Sequence, residues 1–376
     1  MGRRAARPAS PLLGRSSGRQ SEEKKRLYWY TRYGQVEIEE QVFRLGRAGS
    51  ELRPFSVAAE VKCRDYSKPL QRVLVDFGAE ESFGRAVERV REHYGIKVPQ
   101  SAIREQTEFH GAALAAAAEP LLTQLGPAAG VELLITETDG SMIPIVSTGV
   151  EVEGKPVADQ RKGRALSWQE ARLCLAREPE KVTARYGACL GKAEQAGAVW
   201  LDCVVRAGAG AQTHLHCVGD GALWIAAQSA ARFGAQASYL CDFYHVSEYL
   251  AAAAVPLVGS QSKPWLGWAQ GLLKEQRLSE VLAELAPKLE PPGVKDDKAP
   301  IRACFRYLDK RQDQLNYRSA IEVGLPIGSG EVESGHRSLI QERLKISGAW
   351  WLEENVPKML ALRVARANGE WQSYWQ

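Results

Sequence analysis

No Cys-x-x-Cys pair occurs among the seven cysteines, which stand at 63, 174, 189, 203, 217, 241 and 304. Their number is odd, and Cys174, Cys203 and Cys217 lie in apolar runs. That pattern excludes a disulfide framework and a thiolate zinc site, and fits packed, reduced thiols in the cytoplasm. Long apolar runs are missing too. The alanine-rich stretch 251–255 is far shorter than a membrane span, and the N-terminus has no signal-peptide hydrophobic region, so no membrane partner is expected. Net charge is also slight. Against 45 Asp and Glu stand 49 Lys and Arg, leaving +4, too little to mark a nucleic-acid partner by itself.

What is present reads as an ordinary globular chain. Its 376 residues are 45% hydrophobic and 25% charged, enough for two or three domains with a large core. The charge is unevenly spread. Residues 1–32 hold nine Arg and Lys against Glu22 and Glu23, a local +7, and the remainder sums to −3. A basic arm on a near-neutral body suits a polyanion, although a solubilising tail has the same composition.

Residues 1–26, rich in Arg, Ser, Gly and Pro, are expected to be a disordered basic arm. From Leu27 to Phe43 aromatic and β-branched residues predict a small β-hairpin turning at Tyr33-Gly34, and residues 46–70 are expected to be irregular. Ser82 caps a predicted helix to Tyr94. After Gly95 and Pro99, Ser101 caps a second helix running to about Ala118. The pair has the layout of a helix-turn-helix, with Arg104, Gln106 and Thr107 as candidate DNA contacts. Residues 27–120 are therefore expected to bind double-stranded DNA, and 120–130 to be a linker.

Beyond the linker, strands and helices alternate. Val131–Thr138 predicts a strand ending at Asp139-Gly140, with Met142–Val146 as its hairpin mate. Trp168–Ala176 and Val182–Leu190 predict two more strands, preceded by the phosphate-contact candidates Arg161, Lys162 and Arg164. A helix over 192–205, a strand 213–218 ending at Gly219-Asp220-Gly221, a helix to Phe233 and a strand 237–240 follow. The 251–320 stretch reads as a helical insertion broken at Pro256, at Pro264 and by the loop 287–300. A closing helix and C-terminal helices occupy 321–376. This order outlines an α/β fold of the ribonuclease H type, its first part spanning 131–250.

The closing stretch is Gly328-Ser-Gly-Glu-Val-Glu-Ser-Gly-His-Arg337. At about 100° per residue, Val332, Leu339, Ile340, Leu344 and Ile346 share an arc that contains Glu333 and His336, while Glu331 falls on the polar side. A carboxylate on a buried face needs a cation or an arginine to meet it. Asp139 and Asp220 each follow an apolar strand and precede glycine. With Glu333 they form three hard oxygen ligands suited to two Mg²⁺ ions, or Mn²⁺, in a phosphoryl transfer. Taken singly, an Asp-Gly is more often a turn. Asp242 and His245 suit either a helix cap with a packed histidine or a supporting role near the metals. His336, one turn from Glu333, and Arg337 are placed to touch phosphate or orient the carboxylate.

Four segments carry a resemblance. They are Thr138-Asp139-Gly140, Gly219-Asp220-Gly221-Ala222-Leu223-Trp224, Asp242-Phe-Tyr-His245 and Gly328-Ser-Gly-Glu-Val-Glu333-Ser-Gly-His336-Arg337. Together they resemble the motif series of bacterial insertion-sequence DDE transposases, in particular the ISKra group related to Mutator-type elements. Lys345-Ile-Ser-Gly-Ala-Trp-Trp351 and Leu70-Gln-Arg-Val-Leu-Val-Asp-Phe-Gly78 are similar to that group as well. The resemblance implies a ribonuclease H-like core, Mg²⁺, and Asp139, Asp220 and Glu333 as the catalytic acids. It also implies insertion-sequence ends and target DNA as substrates, and a homodimer or higher oligomer on DNA. Glu331, two residues from Glu333, is the competing third acid. A transposase-derived DNA-binding protein that no longer cuts, or a nuclease without strand transfer, are the alternatives.

Overall fold

The computed structural model describes residues 20–45, 51–148 and 163–376. The chain opens with a long hairpin, β1 (Gln20–Thr31) and β2 (Gly34–Leu45), turning at Gly34, whose φ is +114°. Strand pairing thus begins at Gln20, and the expected arm is a strand over 20–26; its residues 1–19 lie outside the described residues. The short strands β3 (Glu51–Leu52) and β4 (Asp65–Tyr66) flank the hairpin on β2 and β1. Between them is a one-turn helix, α1 (Pro54–Ala58).

Three helices follow: α2 (Lys68–Glu80), α3 (Phe83–Tyr94) and α4 (Gln100–Ala117). The Ser67 hydroxyl caps α2 by accepting the Leu70 N–H, with Pro69 in the first turn, where no backbone donor is required. The Ser82 hydroxyl caps α3, and Gly95, at φ +67°, ends it. Leu70, Leu74, Ala86, Val90 and Ile103 form the core among these helices. Ser101 lies inside α4, which begins at Gln100 after Pro99.

The central sheet has β5 (Leu133–Ser147), β6 (Ala165–Arg177), β7 (Arg185–Leu190), β8 (His214–Gly219) and β9 (Ala237–Cys241). Its order is β7-β6-β5-β8-β9, with the first three strands antiparallel and β8 and β9 parallel to β5. The expected hairpin inside 131–146 does not form. Asp139-Gly140 lies in the middle of one strand, held straight by continuous pairing with β6 from Ile135↔Arg177 to Ser147↔Ala165. A Cβ at Gly140 would collide with the Glu170 carboxylate, so glycine serves here as space for a neighbour and not as a turn.

Period-2 alternation divides the sheet's residues between two cores. On one face α5 (Ala193–Arg206) and α6 (Leu223–Phe233) cover Leu134, Cys174, Leu215 and Cys217 with Trp200 and Phe233. Next come α7 (Phe243–Val258), α8 (Ser262–Lys274), α9 (Leu278–Leu285), α10 (Pro300–Asp309) and α11 (Tyr317–Glu322). They share a core around Leu250, Trp265, Val281, Cys304 and Tyr317. Pro256 lies inside α7 near its end and Pro264 in the first turns of α8, so neither breaks the chain where expected.

On the sheet's other face runs a continuous helical segment. It comprises α12 (Gly330–Gly335), a π-helical turn (His336–Gln341) and α13 (Glu342–Leu344). With α14 (Val356–Ala367) it buries Ile143, Ile145, Leu173 and Leu175 against Val332, Ile340, Met359 and Leu360. A last turn, α15 (Trp371–Tyr374), packs its Trp371 into the same core. Arg363, on α14, donates to the Leu339 carbonyl inside the π turn, where the wider i→i+5 pattern changes the usual bonding. Among the described residues no helix is long and apolar enough to cross a membrane.

Candidate functional site

The parallel register of β5 and β8 ends at Glu137↔Val218. Carried two residues further, it sets Asp139 beside Asp220, just past the end of β8. Asp220 is held by its own loop, its Oδ1 accepting the Ala222 N–H at 2.7 Å. The Tyr307 hydroxyl donates to the Asp220 carbonyl at 2.8 Å, and Arg311 Nη2 donates to the Gly221 carbonyl at 2.7 Å. Gly221 has φ +83°, a conformation costly for other residues. Helix α10 therefore braces the loop that presents Asp220.

Asp139 sits in an anionic field. Burial pushes its carboxyl up to about 6, and the negative charges of Asp220, Glu170 and Glu333 add to the shift, against the Gly140 N–H. Two residues earlier on the same face, Glu137 is fully buried and pushed up to about 8, again chiefly by burial. Its Oε2 accepts the Val332 N–H at 2.7 Å, while its Oε1 has no partner among the described residues.

The start of the closing segment lies along β5. Val332 meets Glu137, and His336 Nε2 is 3.9 Å from Asp139 Oδ2. Four helical residues rise about 6 Å and two strand residues about 6.7 Å, so the two elements stay in step. Glu331 is engaged by Arg177 from the end of β6, with Nε–Oε2 at 2.7 Å and Nε–Oε1 at 3.0 Å. Glu333 is exposed, a correction to the inward position expected from the helical arc. Val332, Gly335, His336, Leu339 and Ile340 are the residues that fill the buried stripe, and Glu333 lies on its rim, about 100° round from Val332. The Glu333 carboxylate makes no hydrogen bond or ion pair among the described residues, yet it lies near enough to act on Asp139. Among the described residues no three His, Cys, Asp or Glu side chains stand close enough to hold a metal ion by themselves.

Asp242 is a structural hub. Its Oδ1 accepts the Tyr244 and His245 N–H groups at 2.6 and 3.0 Å, capping α7. Its Oδ2 accepts the Ser329 N–H and hydroxyl, both at 2.6 Å, which fixes the Gly328-Ser329-Gly330 turn. His245 is half-buried against Tyr249 and Tyr307, so it reaches Asp220 only through Tyr307. Arg337 is exposed.

The expected DNA contacts separate. Arg104 is exposed beside Glu105. Gln106 is half-buried and lines a cleft of ≈ 890 Å³ with Trp29, Tyr33, Tyr66 and Phe109. Thr107 is fully buried, its hydroxyl donating to the Ile103 carbonyl at 2.7 Å and packing on Gly78. A base-reading role for Thr107 is thereby corrected, because its helix face is turned into the core. Arg164 is exposed at the start of β6, and Arg161 and Lys162 lie outside the described residues.

Glu137 and Arg177 were not singled out from the sequence. A lone acid within an apolar strand is the signal that marks Glu137. Nothing local marks Arg177, whose partner is 154 residues away.

No curated protein matches this chain. A solved structure similar to it is the Drosophila P element transposase strand transfer complex, with a TM-score of 0.31 and 7% identity over 85% of this chain and 82% of that one. Residues 59–374 match the family described as Uncharacterised protein family (UPF0236), and the chain belongs to that family.

Proposed function

We propose that this protein is a DDE-type DNA transposase that cuts and joins phosphodiesters on a ribonuclease H-like core. The observation that carries the reading is the placement of Asp139 level with Asp220, two residues past the last β5–β8 partners, where burial and neighbouring anions raise the Asp139 carboxyl to about 6. The strand order, with three antiparallel strands followed by two parallel ones, supports the fold assignment. The ordered motif series from Asp139 to Arg337 supports the transposase class.

The residues present fit a divalent ion. Asp139 is raised chiefly by burial and further by the neighbouring anions Asp220, Glu170 and Glu333, and a cation relieves that repulsion. Mg²⁺ commonly takes only one or two protein carboxylates, with phosphate oxygens and water completing its octahedron. Asp139 and Asp220 would hold Mg²⁺ or Mn²⁺, which would supply Lewis acidity for an in-line transfer, with Glu333 as the proposed third acid. Tyr307 and Arg311 hold the Asp220 loop, and Asp242 holds the turn that launches Glu333. His336 lies beside Asp139, and the exposed Arg337 is available to a phosphate. Arg104, Gln106 and Arg164 are the described candidates for contacts to double-stranded DNA, with Arg161 and Lys162 on the adjoining segment. A homodimer or larger assembly on DNA belongs to the same reading.

The test is incubation of labelled insertion-sequence-end DNA with Mg²⁺, comparing wild type with Asp220→Asn. Cleavage by the wild type alone is the expected result. Equal cleavage by both, or by neither, overturns the proposal.

A further inference from the structure

We infer that Glu137 and Arg177 are positioning residues: from β5 and β6 they lock the start of the closing helix and so aim Glu333 at Asp139 and Asp220. The inference rests on the proposed phosphoryl-transfer reading and adds to it the side chains that hold its third acid.

A helix start leaves backbone N–H groups without intrahelical partners, and the N-cap side chain normally accepts one of them. Ser329 stands at that position in α12 but makes no such bond, its hydroxyl being given to Asp242. The Val332 N–H is instead met from the sheet, by Glu137. One residue before it, Glu331 is gripped by Arg177, whose Nη1 is itself spread over the carbonyls of Glu178, Pro179 and Lys181. The guanidinium cannot follow Glu331 if the helix moves.

The two contacts act on neighbouring residues from different strands, so together they fix both rotation and translation of the helix. A slip of one residue turns a helix by about 100° and shifts it about 1.5 Å. That would move Glu333 relative to Asp139, on which its charge acts. Glu333 follows both anchored residues, and its exposed carboxylate makes no bond among the described residues. The Arg177 side chain is largely buried and the Glu331 side chain partly exposed, so breaking the pair costs stability as well as aim, and the two are separated by measuring both.

The experiment compares Arg177→Glu, Glu331→Arg, the double exchange, Glu137→Ala and Glu137→Gln in the full chain. Each variant is measured for single-turnover cleavage at saturating DNA, DNA affinity, melting temperature and amide exchange over residues 330–335. Each single charge reversal is expected to cut cleavage by at least about 100-fold through misplacement, with DNA affinity near wild type and a lowered melting temperature that the double exchange recovers. The double exchange should restore at least tenfold of that loss (about 1.4 kcal/mol). Glu137→Gln should retain more activity than Glu137→Ala, since the amide oxygen still accepts the Val332 N–H. A double exchange no better than the worse single variant overturns the inference. Amide exchange decides independently of catalysis: faster exchange in the single variants and recovery in the exchanged pair support the lock, and equal rates in all variants overturn it. A wild type that never cleaves would sink the transposase reading and leave this exchange result to judge the lock.

Discussion

His336 Nε2 lies 3.9 Å from Asp139 Oδ2, and among the described residues neither of its buried ring nitrogens has a partner within hydrogen-bond distance. Burial holds this imidazole below its usual pKa. A buried polar ring left unpartnered costs stability, and such groups persist where function needs them. His336→Phe should therefore leave the melting temperature unchanged or raise it slightly, while lowering cleavage by roughly 10- to 100-fold. Thermal denaturation beside a cleavage assay checks both. A large loss of stability with cleavage intact would assign the ring to packing alone.

The raised carboxyls make a pH prediction for the metal-free protein. Asp139 is held at about 6 in the fold, against about 4 in an unfolded chain. The folded state thus binds this proton more tightly, so the contribution is fully present below pH 4 and is lost as pH rises through 6. Glu137, at about 8, acts in the same direction over a wider window. Metal-free protein should be more stable near pH 5 than near pH 8, with Asp139 contributing on the order of 2 kcal/mol. Asp139→Asn should flatten the profile, and Mg²⁺ should stabilise the wild type at pH 8 but not the variant. Denaturant midpoints across pH give the answer, and a profile identical in both proteins refutes it.

DNA binding should divide along the chain. Deleting residues 1–19 removes Arg3, Arg4, Arg7, Arg15 and Arg19, and should reduce the slope of log affinity against log salt by up to about four. Arg104→Ala should instead weaken discrimination between element ends and random DNA. Thr107→Val should leave binding unchanged and cost about 1 kcal/mol of stability, because its buried hydroxyl bonds the Ile103 carbonyl. Any loss of DNA affinity in folded Thr107→Val would reopen its role as a base contact.

The readable parts of this fold were those with local signals. Apolar runs before Asp139 and Asp220 located β5 and β8, and Ser82 with Gly95 bracketed α3. Helix α2 carried a signal as well, Ser67 followed by Pro69, but prolines at 54 and 69 made 46–70 look irregular. Asp139-Gly140 misled for a different reason: the dipeptide favours turns, and only β6, recruited from thirty residues downstream, keeps it extended. The contacts of Glu137 and Arg177 with the closing helix were out of reach, since they join residues 195 and 154 positions apart.

The two glutamates of the closing helix remain the sharpest comparison. Helical phase assigned Glu333 to the buried arc, whereas the fold leaves it exposed on the rim, where its charge still acts on Asp139 and its carboxylate has no bond among the described residues. Glu331 is already neutralised by Arg177 and cannot serve a cation without surrendering that pair. Glu333→Gln keeps the shape and removes the charge, so cleavage should fall by at least about 10³-fold while DNA binding survives. The same change should stabilise the metal-free protein slightly, since one anion acting on Asp139 is gone. Glu331→Gln still offers an oxygen to Arg177 and should lose only about tenfold, recoverable at higher Mg²⁺ if its effect is on aim. Were Glu331→Gln the dead variant and Glu333→Gln active, the third acid would be Glu331, and the Arg177 pair would have to open during the reaction.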